Sequence, residues 1–373
     1  MPARTAPALS LRALNRATLS RQMLLRREKV SPVAALERLV ALQAQLARPP
    51  FIGLWSRIEG FRREDLVRAV GKRQVVRGTM MRATLHLLSR RDYLAFRPVL
   101  QSALSKGAVS VLGRRAGGVA FGEVVAAARA CFEEGPRTFA ALRDRMKKLY
   151  PRLDERAIGH VVRLQLPLIQ TPGDGARWAY PGVADFAVAE SWLGARLKEG
   201  DRPHELALRY FAAFGPASPQ DLQSWTGIAA ATRVVEELRP RLRTFRDERG
   251  KELFDVKEGP LPAEDEDAPA RFLPEFDNVL LGYSERARII SDEHRRLIFT
   301  KNLLVPATFL VDGFVAGKWV VERKRNAARL LVRPFGTLAK RSREALAEEG
   351  ERLLQFVEAD AATRSVVFAK ASA

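Results

Sequence analysis

The chain has 373 residues, 47% of them apolar and 28% charged, which excludes a disordered or fibrous protein and leaves room for two or three domains. One cysteine, Cys131, excludes a disulfide framework and any cysteine-rich zinc or iron–sulfur site, and suits a reducing cytoplasm. The net charge of +20 is concentrated: residues 1–115 hold 23 Lys/Arg against 6 Asp/Glu, +17 in that stretch alone, which favours a polyanionic partner.

In the first segment, helices are predicted over 11–25, 31–46 and 62–70, followed by extended residues 75–88. The second rests on Ser31-Pro32, an N-cap with proline at the first helical position, and on apolar Val33, Leu36, Leu39, Val40 and Leu42 at helical spacing. Pro49-Pro50 is read as its end. Gln43 and Gln45 then fall in its last turn. Residues two apart on a regular helix point about 200° away from each other, so the pair serves one site only if that turn unwinds or the two flank a ligand. Ser89 with Asp92 reads as a capping box opening the next helix.

Residues 121–132, 139–150 (capped by Thr138) and 154–164 are helical by period. A strand at 168–171, a turn at Pro172-Gly173-Asp174-Gly175 and a strand at 176–180 follow. The helix-then-ribbon pattern recurs with 204–214, Ser218-Pro219, the turn Thr226-Gly227 and a helix at 229–238, then strands at 242–246 and 251–256. The acidic run 264–267 reads as a solvated connector. Beyond it the chain turns β-rich, with a hairpin at 307–321 about Asp312-Gly313, a strand at 330–334 and a closing helix at 341–357. Helices followed by a two-stranded ribbon, three times over, is the winged-helix order. The expected division is 1–115, 116–200 and 201–262 as three such domains, with 263–373 as a β-rich C-terminal subdomain.

Three phrases narrow the field: Leu42-Gln43-Ala44-Gln45, Phe51-Ile52-Gly53-Leu54-Trp55-Ser56-Arg57 and Arg82-Ala83-Thr84-Leu85-His86-Leu87. With Arg271-Phe272-Leu273-Pro274-Glu275-Phe276-Asp277-Asn278 and Val311-Asp312-Gly313-Phe314-Val315-Ala316-Gly317, they resemble the AlkZ-like bacterial DNA glycosylases over most of the chain. The resemblance implies an α+β fold of tandem winged helices around a concave DNA channel. It also implies a catalytic glutamine, aliphatic, glutamine signature, which Gln43 and Gln45 match. One departure is Ala83, where the family phrase has glycine. The family's lesion-probing hairpin has candidates in Asp312-Gly313 and in the wings.

A neutral amide takes no proton at pH 7, but its carbonyl can hold a water while its NH2 donates elsewhere. That suffices where the leaving group is already activated: guanine alkylated at N7 or adenine at N3 carries a positive charge that weakens its bond to C1′. The expected reaction is hydrolysis of such bonds in double-stranded DNA, extending to interstrand crosslinks, by a monomeric monofunctional glycosylase without cofactor or metal. No lysine lies between Lys29 and Lys72 to act as a lyase nucleophile. His86, His160, His204 and His294 are scattered, which disfavours a metal nuclease. Arg48, Arg77 and Arg82 are the candidates for phosphate contacts. His86 is either a half-buried strand histidine or a DNA or active-site contact, sharing one face with Arg82 four residues earlier. Trp55, Trp178 and Tyr180 stack on bases or belong to the core. The alternative function is a non-enzymatic winged-helix DNA-binding protein, a regulator or lesion sensor. No run approaches a membrane span and no signal peptide is evident, so a cytoplasmic, nucleoid-associated protein is expected.

Overall fold

A computed structural model describes residues 6–112, 121–152, 154–199, 202–299 and 304–370. Among the described residues, helices surround three sheets in a mixed α+β architecture. The sheet that matters most has five short antiparallel strands in the order Leu42–Gln43, Leu85–Ser89, Val75–Thr79, Leu168–Gln170, Phe186–Val188. The ribbon expected to close the first segment and the strand expected to open the second ribbon are therefore neighbours in one sheet. Gly78 permits this: a Cβ there would stand 3.0 Å from the Leu168 carbonyl of the neighbouring strand and 2.7 Å from the Tyr93 ring. The breaks expected at 115/116 and 200/201 fall outside the described residues.

Capping positions follow the sequence. The hydroxyl groups of Ser31, Thr138 and Ser89 accept from Ala34, Ala141 and Asp92 backbone N–H, and the Asp154 carboxylate accepts from Ala157 N–H. Ser218 and Asp221 form a reciprocal capping box. The helix Pro203–Phe214 starts on proline and buries Leu206, Ala207, Tyr210, Phe211 and Phe214, an i, i+3, i+4 stripe. These meet Tyr93, Phe96 and Trp225 in the largest core. Each leucine or phenylalanine side chain so removed from water contributes about 2 kcal/mol.

Several elements differ from their expected bounds or type. The helix from Pro32 stops at Leu39, where Val40 takes φ 67°, and Leu42–Gln43 is a strand. Pro49-Pro50 opens the helix Pro49–Trp55 instead of ending one. The segment 75–88 is a hairpin, Val75–Thr79 and Leu85–Ser89, whose tip Met81–Ala83 is a 3-10 turn. No strand forms at 176–180: Leu168–Gln170 pairs with Phe186–Val188, and the excursion between them seats Trp178 against Phe51 and Phe356, 5.2 and 6.3 Å away.

The ribbon Leu242–Asp247 with Glu252–Val256 forms as read, and Ala8–Leu9 adds to it in parallel. The acidic run is largely exposed, as read, and its backbone is also docked: Arg12 Nε donates to the Glu264 carbonyl at 2.8 Å, Arg16 Nε to that of Glu266 at 2.6 Å. The C-terminal sheet runs Thr363–Phe368, Ala327–Pro334, Phe314–Lys324, Thr308–Val311, Arg271–Leu273, backed by the helix Lys340–Val357. Its Asp312-Gly313 turn is tied to the helix Leu11–Arg21 through Arg12 and Arg16. Among the described residues no helix is long and apolar enough to cross a membrane.

Candidate active site

The geometric puzzle of Gln43 and Gln45 is resolved by conformation. Gln43 stands on the strand Leu42–Gln43, Ala44, fully buried, faces the core, and Gln45 follows where the chain bends out of the sheet, so both amides meet the one hairpin 75–89. Gln43 lies opposite His86 across the ladder. Ala44 N–H donates to the Leu85 carbonyl at 2.7 Å, so Gln43 and His86 form the non-hydrogen-bonded pair next to it, whose side chains stand closest.

Both amides are oriented by the donors they meet. Arg82 Nη2 donates to Gln43 Oε1 at 2.9 Å, and Leu85 N–H donates to Gln45 Oε1 at 2.9 Å. Each oxygen faces protein and each NH2 group is turned the other way. Gln45 thereby continues the ladder with its own side chain in place of a backbone carbonyl. Gln43 is buried and Gln45 exposed, which puts one amide on the floor of the site and one at its mouth.

Arg82 comes from the hairpin tip with φ 53°, and Ala83 follows at φ 60°. Both sit in the left-handed region that costs an L-residue about 1–2 kcal/mol; a glycine at 83 would sit there freely. Arg82 therefore does not share a strand face with His86. Its Nη1 donates to the Trp225 carbonyl at 2.7 Å, so the guanidinium ties Gln43 to the end of the helix Pro219–Thr226. Burial pushes its pKa down to about 10, with the nearby Arg286 charge acting in the same direction.

His86 is 1% exposed, too buried for the DNA contact that the sequence allowed. Its Nδ1 stands 3.0 Å from the Thr84 carbonyl and so carries the proton, leaving Nε2 as an acceptor. Burial, reinforced by Arg82, pushes its pKa down to about 3, so it is a neutral imidazole at physiological pH. Arg77 likewise faces inward rather than toward phosphate. Its Nε donates to the Ala44 carbonyl at 2.8 Å and Nη2 to that of Gln45 at 3.1 Å, with the guanidinium over the Tyr180 ring. Its desolvation lowers the pKa to about 10. Arg48, three residues beyond Gln45, is partly exposed and makes no side-chain hydrogen bond or ion pair among the described residues.

The distant phrases converge beneath this strand. Arg57 makes a bidentate, fully buried pair with Asp277 at 2.8 and 2.9 Å. Ser56 donates to the Phe272 carbonyl, and Asn278 Nδ2 donates to the carbonyl of Ala41 at 2.8 Å, just before the glutamine strand. Nothing in the sequence of these phrases assigns their contacts. Sequence reasoning also passed over Trp225 and Arg286, which carry no local pattern.

Charge density also needs revision. Five arginines of the basic first segment, Arg16, Arg21, Arg57, Arg77 and Arg97, are buried, so part of its excess is internal scaffolding. At the site no Asp or Glu among the described residues bonds to Gln43, Gln45, Arg82 or His86, and no group of three His, Cys, Asp or Glu is placed to hold a metal. The chemistry available is that of two fixed amides, one guanidinium and one neutral imidazole.

A family model described as DNA glycosylase AlkZ-like matches residues 36–356. Among solved structures, the DNA glycosylase AlkZ of Streptomyces sahachiroi matches with a TM-score of 0.80 at 20% sequence identity, covering 96% of this chain and 100% of that one. At that identity the likeness concerns the fold. No curated protein matches the chain.

Proposed function

Because the chain belongs to the AlkZ-like DNA glycosylase family, we propose that it hydrolyses the N-glycosidic bonds of cationic alkylpurines in duplex DNA, with Gln43 and Gln45 positioning the water. N7-alkylguanine and N3-alkyladenine are the substrates, and N7-linked interstrand crosslinks extend the range. The observation that carries this reading is the pair of amides held against one hairpin, each locked by a donor on its oxygen, with no carboxylate among the described residues bonded to either.

Each amide oxygen keeps a second lone pair for a proton of the attacking water, while each NH2 donates toward DNA. Neither amide provides the charge that stabilises an oxocarbenium ion, so the leaving base must already be cationic. Arg82 fixes Gln43, Arg77 holds the backbone of the glutamine strand, His86 stays neutral beside Gln43, and Arg48 contacts a phosphate. We read it as a monofunctional, cofactor-free hydrolase acting as a monomer in the cytoplasm; among the described residues no lysine bonds to either glutamine. The helices Pro203–Phe214, Pro219–Thr226 and Ala231–Leu238 with the following ribbon support a winged-helix reading of 201–262. We read 1–115 and 116–200 as two further such units joined through the shared sheet, with 263–373 as the subdomain that supports the glutamine strand.

The test is release of free base from duplexes bearing N7-methylguanine, an N7-linked crosslink or uracil. Wild type should release the methylated base and unhook the crosslink but leave uracil. Gln43→Ala and Gln45→Ala should each lose about 100-fold or more in rate while still binding DNA. No release from either alkylated duplex would leave a DNA-binding protein without base excision.

A further inference from the structure

The glutamine strand ends in a segment with an apolar side chain in an unexpected place. Leu42 and Ala44 face the core, and strict alternation would turn Leu46 inward with them. Instead the chain leaves the sheet after Ala44, and Leu46 is 54% exposed. It cannot settle back onto the protein. On one side Arg77 holds the carbonyls of Ala44 and Gln45; on the other, buried Pro49 and Pro50 fix the start of a helix. The segment thus presents, in order, an amide at the mouth of the site, an exposed leucine and the unpaired guanidinium of Arg48.

We propose that Leu46 is a wedge that enters the base stack beside the lesion and holds the duplex open next to the two glutamines. This rests on the glycosylase reading above. Duplex DNA offers little apolar surface except the faces of its bases, reached only by opening a step. Leucine is one of the side chains that do so when held rigidly at the edge of a groove. Arg48 on the adjoining phosphate keeps the wedge in register with the backbone. Opening the stack costs least at a damaged base, so the wedge also favours damaged steps.

The test uses full-length protein and a duplex carrying 2-aminopurine next to N7-methylguanine. Wild type and Leu46→Met should raise the fluorescence on binding. Leu46→Ala should lose most of that rise and lower kcat/KM for duplex roughly tenfold or more, with rates on single-stranded DNA changed less than about threefold. Val183→Ala, which trims an exposed side chain elsewhere, serves as control and should match wild type. The proposal is overturned if wild type gives no rise, if Leu46→Ala unstacks as wild type does, or if its loss is equal on single and double strands. Unstacking by wild type without base release would instead refute the glycosylase reading alone.

Discussion

Acidification from pH 7 to pH 5 should destabilise this protein through His86. Its pKa is about 3 in the folded chain and about 6.5 when unfolded, so the unfolded state takes up the proton first. Stability on this account is complete above pH 6.5 and declines as pH falls from there to 3. Over the interval from 7 to 5 the loss is about 2 kcal/mol. The cause is local: the imidazole is buried between the Arg82 charge and the Thr84 carbonyl, with no carboxylate bonded to it that could hold an imidazolium. His160, lowered mainly by its own burial, acts in the same direction, so the comparison belongs in a His160→Gln background. Asp255, raised by burial, acts oppositely, in the carboxylate range. The chain has four histidines, which makes imidazole NMR direct. One Cε1–H signal should keep its neutral position to pH 4.5 and vanish in His86→Gln. The denaturant midpoint of His86→Gln should fall less between pH 7 and 5 than that of its parent. Base release should show no inflection near pH 6.5. Titration of every histidine signal between pH 6 and 7 would refute the reasoning.

Ala83→Gly relieves a left-handed residue and should leave stability unchanged or raise it by up to about 1 kcal/mol, the gain offset by added freedom in the unfolded chain; denaturant titration measures it. Asp277→Ala strands the buried Arg57 charge and should cost about 3–5 kcal/mol, read as a fall in Tm, whereas exposed pairs such as Lys29 with Glu59 should contribute almost nothing. Arg77→Leu leaves two carbonyls unsatisfied at the glutamine strand. It should cost about 1–3 kcal/mol and lower kcat without weakening DNA binding, since Arg77 does not face outward.

Local signals were legible in the sequence. Ser31-Pro32, Ser218-Pro219, Thr138, Asp154 and Ser89 start helices where hydroxyls and carboxylates meet free backbone N–H groups. The closing helix and the Asp312-Gly313 hairpin were equally plain. What escaped was set by partners far along the chain. The apolar spacing of Val33 to Leu42 continues a helix on paper, and only the Leu85 backbone, forty residues on, makes a strand of its end. Arg77 and Arg82 read as phosphate ligands because a charge count cannot tell a guanidinium facing water from one spent on carbonyls. The spacing of Arg82 and His86 suggested one strand face until the hairpin tip fell between them. The amide pair itself was recognisable only through its resemblance to a family signature.

The hydrogen bond from Asn278 to Ala41, with the Arg57–Asp277 pair beside it, has a consequence for the timing of synthesis. A ribosome makes the glutamines early, yet the groups that brace their strand arrive only when roughly three quarters of the chain has been translated. Until then the segment around residue 43 has its local partners but not its foundation. Base excision should therefore switch on late in synthesis, and fragments ending before residue 278 should stay inert on the genome.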